Sequence, residues 1–293
     1  MRGTIIINAY PNGKKFFRQA ERIAEELEKL NVKTDVLRNG ETYACVDGNA
    51  ICCNIMQKYD FAVYLDKDKY LGKMLEMQGL RLFNSASAVE VCDDKMTTYL
   101  ALCGVGVTLA KTIPAPLCYT PNTQVDEKFL QYVAAELGFP LVIKKSYGSF
   151  GTGVQLVHGM PELKKIAQES LYQPHCYQRY ISASAGRDIR IVVVGGKTVA
   201  AMERVAQAGE FRSNIELGGI GRKIELENSY RQTAELVAQA LGLDYCGVDL
   251  LETGDGPVVC EVNSNAFFEG LEQVTGHNVA AAYAKHIVET MRK

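Results

Sequence analysis

The chain reads as a mixed α/β (α+β) protein in which a parallel β-α-β opening leads into antiparallel hairpins, and three observations carry that reading. Thr4 to Asn8 is a short apolar strand, Lys14 to Leu30 sets Phe17, Ala20, Ile23, Ala24 and Leu27 at helical spacing, and Val32 to Leu37 returns as a strand. Further on, apolar runs flank glycine turns at Gly148 to Gly153, Gly195-Gly196 and Thr253 to Gly256, the pattern of hairpins rather than crossovers. Two helices close the sequence, Ser229 to Leu241 ahead of Gly242 and His277 to Met291.

Taken in order, Phe61 to Leu65 and Leu80 to Phe83 extend the opening, so residues 1–92 are expected to form a small α/β domain with a largely parallel sheet. The loop Tyr10-Pro-Asn-Gly-Lys-Lys15 leads from the first strand into a helix, a position suited to an anionic substrate, although Lys14 and Lys15 alone read as a solvated loop. Ile113-Pro-Ala-Pro116 marks the path into a central, lid-like domain, 93–180, ending at a hinge from Tyr177 to Ile181. Residues 181–293 then hold the remaining hairpins and helices. At 293 residues and 47% hydrophobic content the chain can fill two or three modest domains with shared cores.

The most informative stretch runs from Asp249 to Asn263. Its runs Cys246 to Leu251 and Pro257 to Val262 flank a Thr-Gly-Asp-Gly turn, and a pairing centred on Asp255 sets Asp249 opposite Glu261, with Asn263 on the same face. Like charges directly opposed destabilise a sheet, so a compensating cation is expected. Two carboxylates and a carboxamide are hard oxygen donors, too few to cage calcium but suited to magnesium, which shares its shell with water and substrate phosphates.

A nucleotide site is therefore sought upstream. Leu141-Val-Ile-Lys144 is followed by a G-x-x-G-x-G run, Gly148, Gly151 and Gly153, with Ser149 inside it and a second β-rich segment after it. This is neither of the common strand-to-helix phosphate motifs; a hairpin loop whose amides approach phosphate oxygens, with Lys144 as a point charge, fits better. Between loop and metal hairpin, a strand pair carries Arg190 in and Arg204 out, and a loop presents Arg212 and Asn214. Arginines paired with Glu203 and Glu210 on the surface are the plain alternative for any one of them. Four anion-binding residues together suit a site where a carboxylate meets a triphosphate.

From about Asn84 onward the sequence resembles the ATP-grasp superfamily, and within it the RimK-type carboxylate-amine ligases. The resemblance rests on Asn84-Ser85, Asp94-Lys95, Val142-Ile-Lys144 with the glycine loop, Gln178-Arg-Tyr-Ile181, Gly186-Arg-Asp-Ile-Arg190, Ala200-Ala-Met-Glu-Arg204, Gly209-Glu-Phe-Arg-Ser-Asn214, Gly247-Val-Asp249 and Glu261-Val-Asn263, in the family's order. It implies an ATP-grasp fold: an N-terminal parallel α/β domain, a central lid and a C-terminal antiparallel-sheet domain. It further implies that Gln178, Arg179, Tyr180 and Ile181 line the adenine site, that Lys95, Lys144 and the glycine loop hold the phosphates with Arg187 and Asp188 nearby, and that Asp249, Glu261 and Asn263 hold magnesium. Two magnesium ions are implied, with manganese an acceptable substitute. Arg190, Arg204, Arg212 and Asn214 would hold the donor acid and the moving phosphoryl group.

The implied reaction is phosphorylation of a carboxylate to an acyl phosphate, then displacement of phosphate by an amine, yielding an amide or peptide bond and ADP, with glutamate as the family's default donor amino acid. The chain departs from the family in two places. Arg179 stands where many members carry Glu, and Asn265-Ala266 stand where the ribosomal-protein glutamate ligases carry Ser-Pro, followed by Phe267 and Phe268, which read either as a reshaped pocket or as core. A carrier-protein, dipeptide or peptide-modifying ligase, and a nucleotide-binding regulatory module without turnover, are the alternatives.

Composition narrows the rest. A formal net charge of -2 offers no basic footprint for nucleic acid. The N-terminus holds only a three-residue apolar run, and no later run would span a bilayer, so a cytoplasmic enzyme, homo-oligomeric like its family, is expected. Nine cysteines without C-x-x-C spacing read as reduced thiols; Cys45, Cys52 and Cys53 read as buried or incidental thiols in preference to a reactive cluster, and four histidines show no zinc spacing.

Overall fold

A computed structural model describes residues 1–11, 13–55 and 58–293, and for Glu216 the backbone alone. Asn12, within the polar loop from Tyr10 to Lys15, lies outside the described residues. The opening folds as β1 (Arg2–Ile7), α1 (Lys15–Lys29), β2 (Lys33–Arg38), β3 (Ala44–Asp47), β4 (Ala50–Cys53), β5 (Phe61–Leu65), α2 (Lys69–Met77) and β6 (Arg81–Phe83). Strands β2-β1-β5-β6 form a wholly parallel sheet. Helix α1 forms because Ala20, Ile23 and Leu27 share a buried face while most of its charged residues stay outside, Glu26 being buried but paired with Lys29 at 2.8 Å. The small β3–β4 hairpin was not expected; it puts Cys45 directly across from Cys52, both exposed.

Next come α3 (Ala86–Asp93), α4 (Lys95–Leu102), β7 (Thr108–Leu109), β8 (Thr112–Pro114), α5 (Glu127–Leu137), β9 (Leu141–Lys145), β10 (Val154–Val157), α6 (Met160–Ser170) and β11 (His175–Arg179). Ser85 and Asp94 cap α3 and α4 by accepting amide hydrogens of the first turn. Strands β10-β9-β11-β8 form an antiparallel sheet with its own core, Leu130, Val133, Ile143, Leu163 and Tyr177. Of the stretch 93–180, only Thr112 onward belongs to that sheet: Leu102 packs with Tyr230 and Val237, and β7 pairs parallel to the later hairpin.

The remainder is β12 (Arg187–Val194), β13 (Lys197–Val205), β14 (Ile220–Lys223), α7 (Asn228–Ala240), β15 (Tyr245–Thr253), β16 (Gly256–Asn263), α8 (Glu269–Thr275) and α9 (Val279–Met291). The six-stranded sheet runs β14-β13-β12-β15-β16-β7. Along β12, Ile191 and Val193 face the core under α7, whereas Val192 and Val194 face a core shared with α1, α9 and the parallel sheet. Arg190 shares the face of Val192, so strand alternation alone aims it at the N-terminal half. The chain's fold is therefore mixed α/β, as expected. No helix of the described residues is long and apolar enough to cross a membrane.

Asn84, 1% exposed, staples the parallel sheet to the six-stranded one. Its Nδ2 donates to the carbonyls of Tyr245 (2.7 Å) and Ser264 (2.9 Å), and its Oδ1 accepts the Tyr245 amide (2.9 Å). Substituting Asn84→Ala leaves those three buried groups unpaired and should destabilise folding by about 2–4 kcal/mol. A urea unfolding midpoint unchanged from wild type would contradict this.

Candidate active site

The centre of the molecule is a ladder of alternating charge laid across one face of the six-stranded sheet. Strand register puts Arg204 opposite Asp188, Arg190 opposite Asp249, and Asp249 opposite Glu261. Arg204 donates Nε and Nη2 to the two oxygens of Asp188 at 2.7 and 2.6 Å, and Nη2 also reaches Asp249 at 2.8 Å. Arg190 grips both Asp249 oxygens at 2.6 Å. Burial would push the Asp249 carboxyl up, but Arg190 and Arg204 outweigh it and hold it below the usual carboxylate range. Arg204 is likewise opposed by burial and held above its ordinary value by Asp249 and Asp188.

The pairing of Asp249 with Glu261 arises differently from the expected turn. The hairpin closes on Gly254-Asp255, one half-register earlier, and a β-bulge at Cys260 shifts the register between Leu250 and Asp249 so that the two carboxylates still meet. Their charges are met by side chains: Arg190 and Arg204 for Asp249, Lys95 at 3.5 Å for Glu261. Opposition by itself thus does not demand a metal. Among the described residues no three His, Cys, Asp or Glu side chains cluster to hold one.

The donor set nevertheless fits a cation shared with phosphates. Asn263 Nδ2 is buried without a hydrogen-bond partner, so no bond of the fold fixes that end of the amide, whose Oδ1 is the atom that would hold a cation. Asp249 faces one cavity, Asn263 a second, and Glu261 both.

The first of these cavities, 100 Å³, lies between the β10-β9-β11-β8 sheet and the six-stranded sheet. Lys95, Lys144, Val142 and Gln178 to Ile181 line it, with Arg187, Asp188 and Arg212. Burial disfavours the Lys144 ammonium, and Cys260, Tyr99 and Glu261 around it more than restore its charge. Gln178 Nε2 donates to Tyr99 (2.9 Å) and Thr112 (2.8 Å), which fixes this side chain within the wall. Arg179 turns outward to the Glu136 carbonyl at 3.0 Å, and Arg187 pairs with Glu252 at 3.2 Å.

The glycine loop joins β9 to β10 and is clasped shut. The Lys95 amide donates to Ser146, Lys95 Nζ reaches the Gly148 carbonyl at 3.4 Å, and Arg212 Nη1 donates to the Gly151 carbonyl at 3.1 Å. Gly151 has φ +70°, and a Cβ there would sit 2.8 Å from Asn214 Oδ1; at Gly153 it would sit 2.7 Å from Lys145 Cδ. Gly153 therefore seats Lys145, and among the described residues it is not part of either cavity wall.

Gly148, Ser149 and Phe150 roof the second cavity, 220 Å³, between the six-stranded sheet and the N-terminal domain. Phe150 stacks on Phe267 at 5.9 Å, and Lys15 Nζ lies 3.6 Å over its ring. Phe267 is thus pocket wall, while Phe268, 2% exposed, is core beside Tyr245. A third space of 510 Å³ opens between α1 and α8 and meets the second at Gln19, Arg190, Arg204 and Phe267.

Sequence reasoning missed the N-terminal wall, Asn8, Asp66 and Lys67. These follow β1 and β5 at the carboxyl ends of parallel strands, where open α/β sheets bind ligands, and that rule was the available signal.

Residues 95–287 match the model of the RimK-like ATP-grasp domain, about two thirds of the chain. The chain belongs to the RimK-like ATP-grasp family. It is 37% identical over 220 residues to a probable alpha-L-glutamate ligase of Marinomonas sp., covering 74% of this chain and 70% of that one. It is 34% identical to beta-citrylglutamate synthase B of Danio rerio and 34% to human N-acetylaspartylglutamate synthase A, each match covering 78% of this chain. The chain spans little more than half the length of these two synthases, 56% and 58%. Its fold is that of D-alanine–D-alanine ligase from Bacillus anthracis (TM-score 0.74, 20% identity, 100% of this chain and 97% of that one). A RimK-domain ATP-grasp protein from Sphaerobacter thermophilus fits comparably (TM-score 0.73, 19% identity, 97% and 98%).

Within this ATP-grasp chain the pairing of Arg212 with Glu210 can be tested by titration. Arg212 hydrogen bonds hold the Glu210 carboxyl at about 2 instead of 4.5. A depressed carboxyl stabilises the fold above the unfolded value and loses that contribution as pH falls from 4.5 towards 2. In Arg212→Gln, carboxyl-carbon NMR should move the Glu210 titration clearly upward from about 2, part-way to its ordinary value because the backbone amides of residues 211 and 212 still donate; a titration still near 2 would refute the Arg212–Glu210 pair.

Proposed function

We propose that this protein is an ATP-dependent carboxylate-amine ligase releasing ADP and phosphate. The observation that carries the reading is the meeting of three cavities at one buried charge ladder. Arg204 contributes to all three, and Arg204, Asn214 and Glu261 line both the cavity of the two lysines and the one beneath the glycine loop. ATP would lie against Gln178 to Ile181, with its phosphates between Lys95, Lys144 and the loop amides of Gly148 to Gly151. A carboxylate in the adjoining cavity then attacks the terminal phosphorus, the bond to the β-phosphate oxygen breaks, and ADP leaves.

The resulting acyl phosphate is attacked at its carbonyl carbon by an amine, whose proton departs to solvent as phosphate is expelled. Magnesium, two ions as in the expectation, would be held by Asp249, Glu261 and Asn263 and would neutralise charge on the phosphate oxygens. Arg190, Arg204, Arg212 and Asn214 orient the acid and the phosphoryl group, and the closed loop excludes water that would hydrolyse the acyl phosphate. An amino acid such as L-glutamate is one of the joined partners in this reading, in keeping with the relatives' names.

The purified chain, given ATP, magnesium, hydroxylamine and a panel of carboxylic acids, should release ADP and form the hydroxamate of at least one acid. Glu261→Gln should lower that rate by at least about 100-fold. Release of AMP, or a Glu261→Gln enzyme as fast as wild type, would overturn the reading; nucleotide binding without turnover would favour a regulatory module.

A further inference from the structure

Asp66 follows β5 and is 4% exposed, yet it lines the cavity beneath the glycine loop. Its carboxylate is held by three neutral N–H groups: Asn8 Nδ2 at 2.9 Å and the Lys67 amide at 2.7 Å on Oδ1, and Asn39 Nδ2 at 2.7 Å on Oδ2. No ammonium or guanidinium of the described residues pairs with it. The Lys67 ammonium is committed elsewhere, to Asp93 at 2.8 Å and to Ser149 Oγ in the cavity roof at 3.3 Å. A buried carboxylate is ordinarily paired with a cation, and one fixed by neutral donors at a cavity wall is preorganised for a cation supplied from the cavity.

A second oxygen stands beside it. Asn265 Nδ2 donates to the Asp66 carbonyl at 3.2 Å, which aligns the amide against this residue, and its Oδ1 is buried with no hydrogen-bond partner. Asn265 also lines the cavity, so the position at which the sequence departs from the glutamate ligases supplies an unused acceptor. An ammonium offers three N–H donors and accepts nothing, which matches a carboxylate and an unused amide oxygen on residues that line one cavity. Elsewhere on the same wall stand Arg190 and Arg204, suited to a carboxylate.

We infer that the donor acid is an amino acid with a free, protonated amino group, and that Asp66 and Asn265 bind that ammonium. This rests on the ligase reading above. Asp66 is then a specificity-determining residue, and acids lacking the amine are poor substrates because they leave the buried carboxylate unpaired.

The test uses the whole protein with ATP, magnesium and hydroxylamine, offering each amino acid beside its desamino analogue, for example L-glutamate beside glutarate. Wild type should prefer the amino acid by at least about 100-fold in kcat/KM. Asp66→Asn, nearly isosteric, should lose most of that preference by failing on the amino acid while keeping its rate on the analogue, and Asn265→Ala should lose part of it. Urea unfolding midpoints for each variant separate this from a structural role, which would lower both substrates together. Equal use of both acids by wild type, or an equal loss on both in Asp66→Asn, would overturn the inference. Hydroxamate from no acid would remove the ligase reading itself, and this inference with it.

Discussion

The buried run of Asp188, Arg204, Asp249 and Arg190 is the constraint to which the rest of the structure answers. Arg204 and Asp249 are 3% and 2% exposed, and four formal charges in such a place are tolerable only because strand register puts each opposite its partner with bidentate geometry. A slip of one residue would turn every member to the other face. The two large cores on either side of the sheet fix that register, so hydrophobic packing sets the electrostatics and the electrostatics set the site. The four-stranded sheet, with a core of its own, closes over this platform through the glycine loop and the Arg212 contact.

Much of this was legible in the sequence because it depends on short-range periodicity. The parallel opening, the glycine loop, the hairpin around Gly195-Gly196 and the final helices all follow from alternation, helical spacing and turn residues. The opposition of Asp249 and Glu261 was also legible, although for an incomplete reason. The turn is tighter than a pairing about Asp255 requires, and the bulge at Cys260 restores the register. A bulge has no distinct mark in Val-Val-Cys-Glu, so composition could not reveal it.

What escaped the sequence lies in contacts between distant segments. The ion pairs of Arg204 with Asp188 and Asp249 join residues 16 and 45 positions apart, and nearest-neighbour reasoning had offered Glu203 instead. Arg212, by contrast, does pair with Glu210, the local partner. Asp66, Asn8 and Asn39 converge only when β1, β2 and β5 lie side by side, each contributing the residue that follows its strand. The pair Phe267-Phe268 divides between pocket and core, a split that depends on where Phe150 and Tyr245 arrive.

The central claim is that an oxygen of the donor acid attacks phosphorus at the junction of these cavities. It is tested most directly with an acid labelled with oxygen-18 in its carboxyl group, turned over with ATP, magnesium and hydroxylamine. The account predicts one labelled oxygen in the released inorganic phosphate for each product formed. Unlabelled phosphate, or label appearing in AMP, would contradict it.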